Sequence, residues 1–325
     1  MKRFKNILFV ADSSSSVLEA FQHAVRLAER NGARLTVIRV TERIPPHLTR
    51  LMPHMLRQIR VREPEAALGG LSEQGAGRVE LETKIVEGKA FLEIIREVLR
   101  NGRDLVIKSA DGVGGARGWL FGTTDLHLIR KCPCPVWLIK PTDPTPIRRV
   151  MACVDFNDLD PPGQDTAEPL NRMILELGES LAFLEHAEFH VAHAWEAIGE
   201  HVMRNERAGF DNEEVDSYVR DVCLKHRDWL NRLLCEARRW IGLEKSQTIE
   251  PKTHLLKGNP SEAIPRLART LRVDLIVMGT VARTGIPGLI IGNTAESILS
   301  DIGCSLLAVK PEGFVTPIRG EIEHP

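Results

Sequence analysis

The sequence of 325 residues is long enough for two domains of ordinary size. Hydrophobic residues make up 43% of it and charged residues 27%, which is typical of a soluble globular protein. The 43 Lys and Arg nearly balance the 44 Asp and Glu, so the formal charge of −1 gives no reason to expect nucleic acid or an anionic membrane as partner. No apolar run reaches the roughly 20 residues that span a bilayer. We therefore expect a cytoplasmic protein.

The first predicted element is a strand at Asn6–Ala11, whose apolar run is too short for the core of a signal peptide. The serines 13–16 that follow favour an N-cap for a helix that begins near Val17, although they also suit a place beside a ligand. This amphipathic helix is predicted to end at Gly32, because glycine is the residue most typical of a helix C-terminus.

Short apolar runs then alternate with helical patterns, which predicts a parallel, doubly wound sheet covered on both faces. The further strands predicted in this half are Arg34–Val40, Glu80–Val86, Asp104–Lys108 and Val136–Ile139. Residues 44–72 are interpreted as a mobile arm, for which packing on its own sheet is favoured over a lid or a partner contact. The apolar cluster of this arm is Leu51, Met52, Met55 and Leu56.

The chain contains the same pattern twice. Residues 104–141 align with 274–311 without a gap, at an offset of 170 (274 − 104). The openings also match, with Asp12 opposite Asp155, but at an offset of 143 (155 − 12), so the second copy holds 27 more residues (170 − 143). A duplication at this scale indicates two structurally similar units in tandem.

The predicted fold class is therefore α/β, with two tandem doubly wound domains, each a five-stranded, mostly parallel sheet with helices on both faces. We place the domains at 1–143 and 147–313, with a tail at 314–325 and a Pro-rich linker between the domains. The extra length of the second copy is mostly a helix with an apolar stripe, for which core packing is the simplest interpretation. The stripe is Val215, Val219, Val222, Trp229, Leu233, Ala237 and Trp240.

Cysteine and histidine spacing does not favour a metal site. Cys132 and Cys134 have no second pair nearby, so buried thiols are a better interpretation than zinc ligands. His190 and His193 fall on a predicted strand, where a spacing of three places them on opposite faces.

Two features converge where the strand order of a doubly wound sheet reverses, which is where such sheets bind ligands. One is the acid after the first strand, Asp12 or Asp155, and the other is the loop after the fourth strand. In the second copy that loop is rich in glycine, and Asn293 with Glu296 reads as the N-cap of the next helix in a capping box. Such a loop either presents backbone amides to a phosphate or only turns and caps.

Both copies resemble the universal stress protein family, and the whole chain resembles its tandem-domain members. The nucleotide-binding branch of that family carries Gly-x2-Gly-x9-Gly followed by Ser or Thr. The matching positions in the second copy are Gly279, Ala282, Gly292 and Asn293. Those in the first copy are Ser109, Gly112, Gly122 and Thr123.

The resemblance implies an adenine nucleotide, ATP or ADP, with no metal beyond the Mg²⁺ that accompanies it. In that family the acid lies by the adenine and ribose and the loop holds the phosphates. Carried over by position, the second-copy site is Asp155, Gly279, Arg283, Gly288, Gly292, Asn293 and Thr294. Arg283 either meets a phosphate directly or is a solvated loop charge. The weaker first-copy set is Asp12, Gly112, Gly122 and Thr123.

We expect the second copy to be the better nucleotide site. In the first copy Ser109 replaces the first glycine, and Asp111 adds a negative charge where phosphate would lie. The resemblance thus implies a stress-response regulator or sensor. The sequence nominates no catalytic residue, since it has no Gly-x-Ser-x-Gly and no Walker lysine, and slow ATP hydrolysis stays open.

Two other functions stay open. A ligand-free interaction module would explain the eroded motifs, and an adenine-nucleotide α-hydrolase would require a phosphate loop near the N-terminus that we do not find. In the resembled family, single-domain members dimerise through the last strand. We therefore expect the two copies to form an intramolecular pseudo-dimer, with a homodimer of whole chains left open.

Overall fold

The structure, a computed structural model, describes residues 4–14, 16–43, 62–110, 121–140, 146–156, 167–205, 209–240, 249–280 and 292–319, and the backbone of 114–115 and 118–119. The first-copy strands are β1 (Asn6–Val10), β2 (Arg34–Thr41), β3 (Leu81–Glu87), β4 (Leu105–Ser109), β5 (Gly114–Gly115), β6 (Gly118–Trp119) and β7 (Val136–Ile139). Its helices are α1 (Val17–Asn31), α2 (Glu63–Gly75), α3 (Ala90–Asn101) and α4 (Thr123–Lys131).

The second copy repeats this order, with α6 and the long helix α7 between its second and third strands, where the first copy has α2. Its strands are β8 (Arg149–Cys153), β9 (Glu188–Trp195), β10 (Lys252–Lys257), β11 (Leu275–Gly279) and β12 (Ser305–Val309). Its helices are α5 (Glu168–Glu185), α6 (Glu200–Met203), α7 (Asn212–Trp240), α8 (Pro260–Leu271) and α9 (Asn293–Asp301). None of the helices in the described part of the chain is both long and apolar enough to cross a membrane.

Ten strands form one sheet in the order β10-β9-β8-β11-β12-β7-β4-β1-β2-β3. Neighbours within each copy are parallel, and the two copies meet where β12 pairs with β7 antiparallel, with Leu307 opposite Trp137. The predicted fold class is confirmed. The last strand of each copy would be an exposed sheet edge in isolation, and here each covers the other.

The duplication extends to individual hydrogen bonds. The Asp104 carboxylate accepts the backbone N–H groups of Lys5 (2.6 Å) and Asn6 (3.1 Å), at the start of β1. The Asp274 carboxylate accepts those of Arg148 (2.7 Å) and Arg149 (2.9 Å), at the start of β8. Each aspartate thus fixes the start of the first strand of its copy against the fourth.

Hydrophobic side chains fill both faces of the sheet, which explains the continuously apolar strands. In β1, Ile7 and Phe9 belong to the cluster that contains α1, whereas Leu8 and Val10 belong to the cluster that contains α3 and α4. The first cluster runs across both copies and includes α5 and α7. Both helical layers therefore fix the carboxyl ends of the strands in place.

The inserted helix α7 packs against the sheet, which confirms the core interpretation of its stripe. Trp229, Leu233 and Ala237 are buried with Val215, whereas the other stripe residues are only partly buried. In the first copy, α2 buries Leu68 and Leu71 on its own sheet, as favoured for the second part of the predicted arm. Residues 44–61, with the apolar cluster of that arm, lie outside the described residues.

Two buried lysines cross the junction of the copies reciprocally. Lys140 Nζ donates to the carbonyl of Ile302 (2.7 Å), at the end of α9, and Lys310 Nζ donates to the carbonyl of Ile129, in the last turn of α4. A cation is favoured at a helix C-terminus. Burial nevertheless lowers the pKa of Lys310 to about 8. Each copy thus stabilises the last helix of the other.

The structure corrects the predicted start of α9 and confirms that of α1. Gly292 is the N-cap of α9 and Asn293 its first helical residue, so the assignment of Asn293 as N-cap is wrong, and Glu296 pairs with Arg130 instead of closing a capping box. Ser16 stands at the N-cap of α1 but its side chain makes no capping hydrogen bond. The predicted end of α1 is confirmed, since Gly32 is left-handed with φ 59°.

Candidate functional site

The strand order reverses once in each copy, between β1 and β4 and between β8 and β11. Asp12 and Asp155 both lie two residues beyond the first strand of their copy. Because β11 runs parallel to β8, with Met278 opposite Cys153, Asp155 and the loop after Gly279 leave the same edge of the sheet. The structure therefore brings Asp155 and the end of β11 to one edge of the sheet, and their role in a nucleotide site stays a prediction.

In the first copy a buried lysine occupies this point. The Lys108 side chain is 2% exposed, and its Nζ lies 2.9 Å from Asp12 Oδ2 and 3.2 Å from Asp125 Oδ1. It also donates to the carbonyl of Ser109 (2.7 Å). We call Asp12, Lys108 and Asp125 the ion triad. It joins the ends of β1 and β4 to the first turn of α4.

The ion triad keeps the Asp12 carboxyl charged. Burial favours the neutral acid, but attraction to Lys108 and hydrogen bonds from Ser14 and Lys108 outweigh it, so the pKa of Asp12 is lowered. A carboxylate committed in this way is not available to a ribose or a base. The sequence identifies Lys108 only as the end of a predicted strand, and its contacts with Asp12 and Asp125 were not predicted.

Two buried hydroxyl groups meet beside the ion triad in the first copy. Ser109 Oγ lies 2.5 Å from Ser16 Oγ, and both residues are buried. The N–H of Gly122, the N-cap of α4, donates to Asp125 Oδ2 (3.2 Å). Thr123 is the first residue of α4, and Gly112 lies outside the described residues.

The second copy lacks two of the three charges of the ion triad and keeps the third as Asp155. At the offset of 170, Met278 replaces Lys108 and Ala295 replaces Asp125. Asp155 is exposed, and its main chain is held by the buried Asn171. Its N–H donates to Asn171 Oδ1 (3.0 Å), and its carbonyl accepts from Asn171 Nδ2 (2.7 Å).

Gly279 has a packing role. A Cβ built on Gly279 would lie 2.6 Å from Cδ2 of Leu170, in the first turn of α5. Leu170 against Gly279 is the counterpart of Ser16 against Ser109, since each pair joins the first helix to the end of the fourth strand. A side chain at Gly279 would displace Leu170, so packing alone favours glycine here, before any ligand is considered.

The start of α9 is the other described part of the second-copy site. Gly292 is half-buried, and Asn293 and Thr294 are exposed. Ala295 has no carboxylate to return to the N-cap amide, as Asp125 does in α4. Helix N-termini favour anions through their first-turn amides and their dipole. Arg283 and Gly288 lie outside the described residues, so their assignments stay predictions.

A cleft of about 360 Å³ lies at the ends of β9 and β10, adjacent to β8 in the sheet. Its lining residues are Glu196, Ala197, Glu200, His201, Arg204, Lys257 and Gly258. Glu200 pairs with Lys257 (2.8 Å) and Arg204 (3.0 Å), which fixes α6 as one wall. Gly258 is left-handed, with φ 122° and open space around it, whereas a Cβ on its counterpart Gly88 would meet Glu93. The sequence did not predict this cleft.

Within the described ranges no group of three His, Cys, Asp or Glu side chains is arranged to hold a metal ion. Cys132 and Cys134 are buried, and the hydrogen bond between the two thiols, together with burial, raises the pKa of Cys134 well above its ordinary value. That disfavours the thiolate that a metal requires. On β9, His190 contacts His254 (2.9 Å) and His193 contacts His226 (2.8 Å).

The sequence model of the universal stress protein family matches residues 3–140 and 146–310 of this chain. The chain belongs to the universal stress protein family. It is similar to universal stress protein E of Escherichia coli, with 29% identity over 100% of this chain and 99% of that protein. It is also similar to the universal stress protein E homolog of Haemophilus influenzae, with 27% identity over 95% of this chain and 98% of that protein.

Solved structures of two other proteins share the fold over nearly the whole chain. A putative universal stress protein from Pseudomonas aeruginosa is 23% identical and covers 96% of this chain and 95% of its own, with a TM-score of 0.66. A universal stress protein from Archaeoglobus fulgidus is 16% identical and covers 94% and 98%, with a TM-score of 0.62. The tandem two-domain architecture is therefore shared with this family.

Proposed function

We propose that this universal stress protein is a cytoplasmic stress-response regulator that binds ATP or ADP, with the accompanying Mg²⁺, in its second copy. Occupancy of that site would be the signal. The observation that carries the proposal is the contrast at one strand position, Lys108 in the first copy and Met278 in the second.

Charge explains why the first copy is a poor nucleotide site. The ion triad has a net charge of −1, and the Lys108 ammonium already contacts two carboxylates and a carbonyl. A triphosphate would have to compete with buried carboxylates for that ammonium, and separating a buried ion pair is costly. The first-turn amides of α4 are also partly used, because Asp125 accepts from Gly122.

The second copy presents the complementary arrangement. Asp155 is exposed at the sheet edge, where a carboxylate is suited to accept hydrogen bonds from ribose hydroxyls. Gly292, Asn293 and Thr294 supply the N-terminus of α9, which is nine residues long and suited to a phosphate. The cleft at the ends of β9 and β10 falls within the volume range of small-molecule sites, although none of its lining residues belongs to the predicted nucleotide set.

Titration of Mg·ATP by calorimetry tests the proposal on the full-length chain. Gly292→Val places a branched side chain at the start of α9, and we expect it to weaken binding at least about tenfold, the equivalent of one lost charge-assisted hydrogen bond. Gly122→Val, at the matching position of the first copy, is the control and should leave the affinity unchanged. Absence of ATP binding, or equal affinity for wild type and Gly292→Val, would contradict the proposal.

A ligand-free interaction module is the second candidate, and the contact of Leu170 with Gly279 favours it, because this glycine is explained without a ligand. The two functions differ in what the purified protein carries. Protein precipitated with acid and analysed by liquid chromatography should release adenine nucleotide if the second copy is a nucleotide site. A chain that releases none and binds none on titration would act through its surface.

A further inference from the structure

The segment after β8 is held by side chains from three different elements. Asn171 of α5 is 1% exposed and bonds both the N–H and the carbonyl of Asp155. Two opposite hydrogen bonds to one residue fix the rotation of its peptide groups. The direction in which the Asp155 carboxylate leaves the chain is therefore set by Asn171.

His193 of β9 contacts Val154, the residue before Asp155. Its Nδ1 lies 3.2 Å from the carbonyl of Val154, and its Nε2 lies 2.8 Å from Nδ1 of His226, on the inserted helix α7. A carbonyl only accepts, so Nδ1 of His193 carries the proton. In the neutral pair, Nε2 of His193 then accepts from His226. Both rings are buried.

Phe156, the residue after Asp155, packs against the same helix, α7. Its ring lies 5.4 Å from that of His226, edge to face, and 5.1 Å from that of Trp229. Aromatic pairs in this range stabilise each other beyond their buried area. Val154, Asp155 and Phe156 thus contact β9, α5 and α7, respectively.

The first copy holds the same segment differently. Arg39, which follows the strand partner of Val10, donates to the carbonyl of Ala11 (3.1 Å), as His193 bonds Val154. Val17 stands where the second copy has Asn171, since helices α1 and α5 end 154 residues apart, at Gly32 and His186. Asp12 is instead fixed by Lys108. The contacts that hold residues 154–156 are therefore found in the copy that lacks the ion triad.

We infer that Asn171 and the His193–His226 pair are positioning residues that hold Asp155 ready for the nucleotide, and that the inserted helix α7 serves this purpose. The inference rests on the proposed function, because Asp155 is the residue that would contact the ligand. It gives a role to the length of α7, which has 29 residues where α2, at the same place in the first copy, has 13.

The test combines Asn171→Val, which installs the first-copy residue, with Asp155→Ala in a double-mutant cycle, read by calorimetric titration of Mg·ATP. We expect each single variant to weaken binding about tenfold, and the double variant to be no weaker than Asp155→Ala alone. Non-additivity is required because Asn171 acts through Asp155, and loss of stability alone would not produce it.

Asn31→Val is the matched control. Asn31 is also a buried asparagine that accepts the backbone N–H of Phe4 (3.2 Å) and donates to the carbonyl of Leu27 (2.8 Å), but it lies in α1 of the first copy. It should lower the melting temperature as Asn171→Val does and leave ATP affinity within about twofold. His226→Phe keeps the ring and removes the hydrogen bond to His193, and it replaces Asn171→Val in the cycle if that variant does not fold.

The outcomes separate the two claims. Wild type that binds no ATP contradicts the proposed function itself. If wild type binds and Asp155→Ala weakens binding, unchanged affinity of Asn171→Val overturns the inference alone. Additive losses in the double variant also overturn it, because Asn171 would then act independently of Asp155.

Discussion

At the scale of single residues, the two copies differ most at one pair of positions. Lys108 and Asp125 in the first copy correspond to Met278 and Ala295 in the second. The second copy replaces the buried cation and the buried carboxylate together, so that neither of these two charges is left buried without the other. A buried charge without its partner is far costlier than the absence of both.

We predict that Lys108→Met destabilises the chain by about 3–5 kcal/mol, because it leaves Asp12 and Asp125 without their cation. Lys108→Met with Asp125→Ala, the second-copy pair, should recover most of this loss, since Asp12 is partly exposed and becomes hydrated. Urea denaturation followed by circular dichroism measures both. A double variant as unstable as the single one would show that the ion triad does not act as a unit.

The contact between Gly279 and Leu170 gives a second prediction at this scale. Gly279→Ala places a methyl group against Cδ2 of Leu170 and should destabilise the fold by about 1–3 kcal/mol through overpacking. In a Leu170→Ala background the same change should cost almost nothing. Thermal unfolding of the four proteins completes the cycle. Equal losses of stability in both backgrounds would show that the cost of Gly279→Ala does not come from contact with Leu170.

Sequence reasoning reached the position of this site but not its internal contacts. Asp12 and Asp155 were predictable because both follow a short apolar strand at matching places in the repeat. The ion triad was not, because Asp12, Lys108 and Asp125 come from three elements that only the fold brings together. Asn293 was assigned as N-cap by residue preference, and the structure places Gly292 there.

At the scale of elements, the junction of the copies joins more than two strands. The last strands of the two copies, β7 and β12, were predicted to cover each other's exposed edge, and the structure confirms that they pair. The reciprocal lysines were not predicted, because Lys140 and Lys310 look like ordinary strand-end charges in the sequence. Helix contacts add to the junction, since Arg30 of α1 pairs with Glu185 of α5 (3.1 Å).

The pH dependence of stability should report on His23, which lies behind this junction. Burial, and secondarily the charge of Arg26, lower the pKa of His23 to about 4. Its ring lies 6.2 Å from that of Trp137 on β7. The unfolded chain protonates His23 near pH 6.5, so stability is fully present above that pH and falls as pH drops from 6.5 toward 4.

The predicted total loss from His23 is on the order of 3 kcal/mol across that interval. His23→Gln should flatten the stability profile between pH 6.5 and 4, measured by denaturant unfolding at each pH. His201→Gln removes an exposed histidine and is the control, with an unchanged profile expected. A His23→Gln profile as steep as wild type would assign the slope to other groups.

At the scale of the whole molecule, the chain is a pseudo-dimer built from one continuous ten-stranded sheet. The duplication and the fold class were predictable from the offset of 170 and from the apolar strands, because both are properties of local sequence. The inserted helix α7 was recognised as core, but its contacts with the segment after β8 depend on histidines whose partners are distant in sequence.

Separated copies should associate through the strands that the intact chain pairs. Residues 1–143 and 147–325, produced individually, each expose the edge of β7 or β12 and should self-associate. Mixed together they should form a one-to-one complex, because the lysine contacts across the junction are reciprocal. Sedimentation velocity distinguishes these states. Two monomeric halves that ignore each other would contradict the importance of the junction.

The central claim is that one copy accepts the nucleotide and the other is closed by its own charges. The most direct measurement is the stoichiometry of Mg·ATP binding to the full-length chain and to two exchanged variants, by calorimetry. We predict one ATP per wild-type chain, none for Met278→Lys with Ala295→Asp, and no loss of the single site for Lys108→Met with Asp125→Ala. Two sites in wild type, or a single site that survives Met278→Lys with Ala295→Asp, would contradict the account.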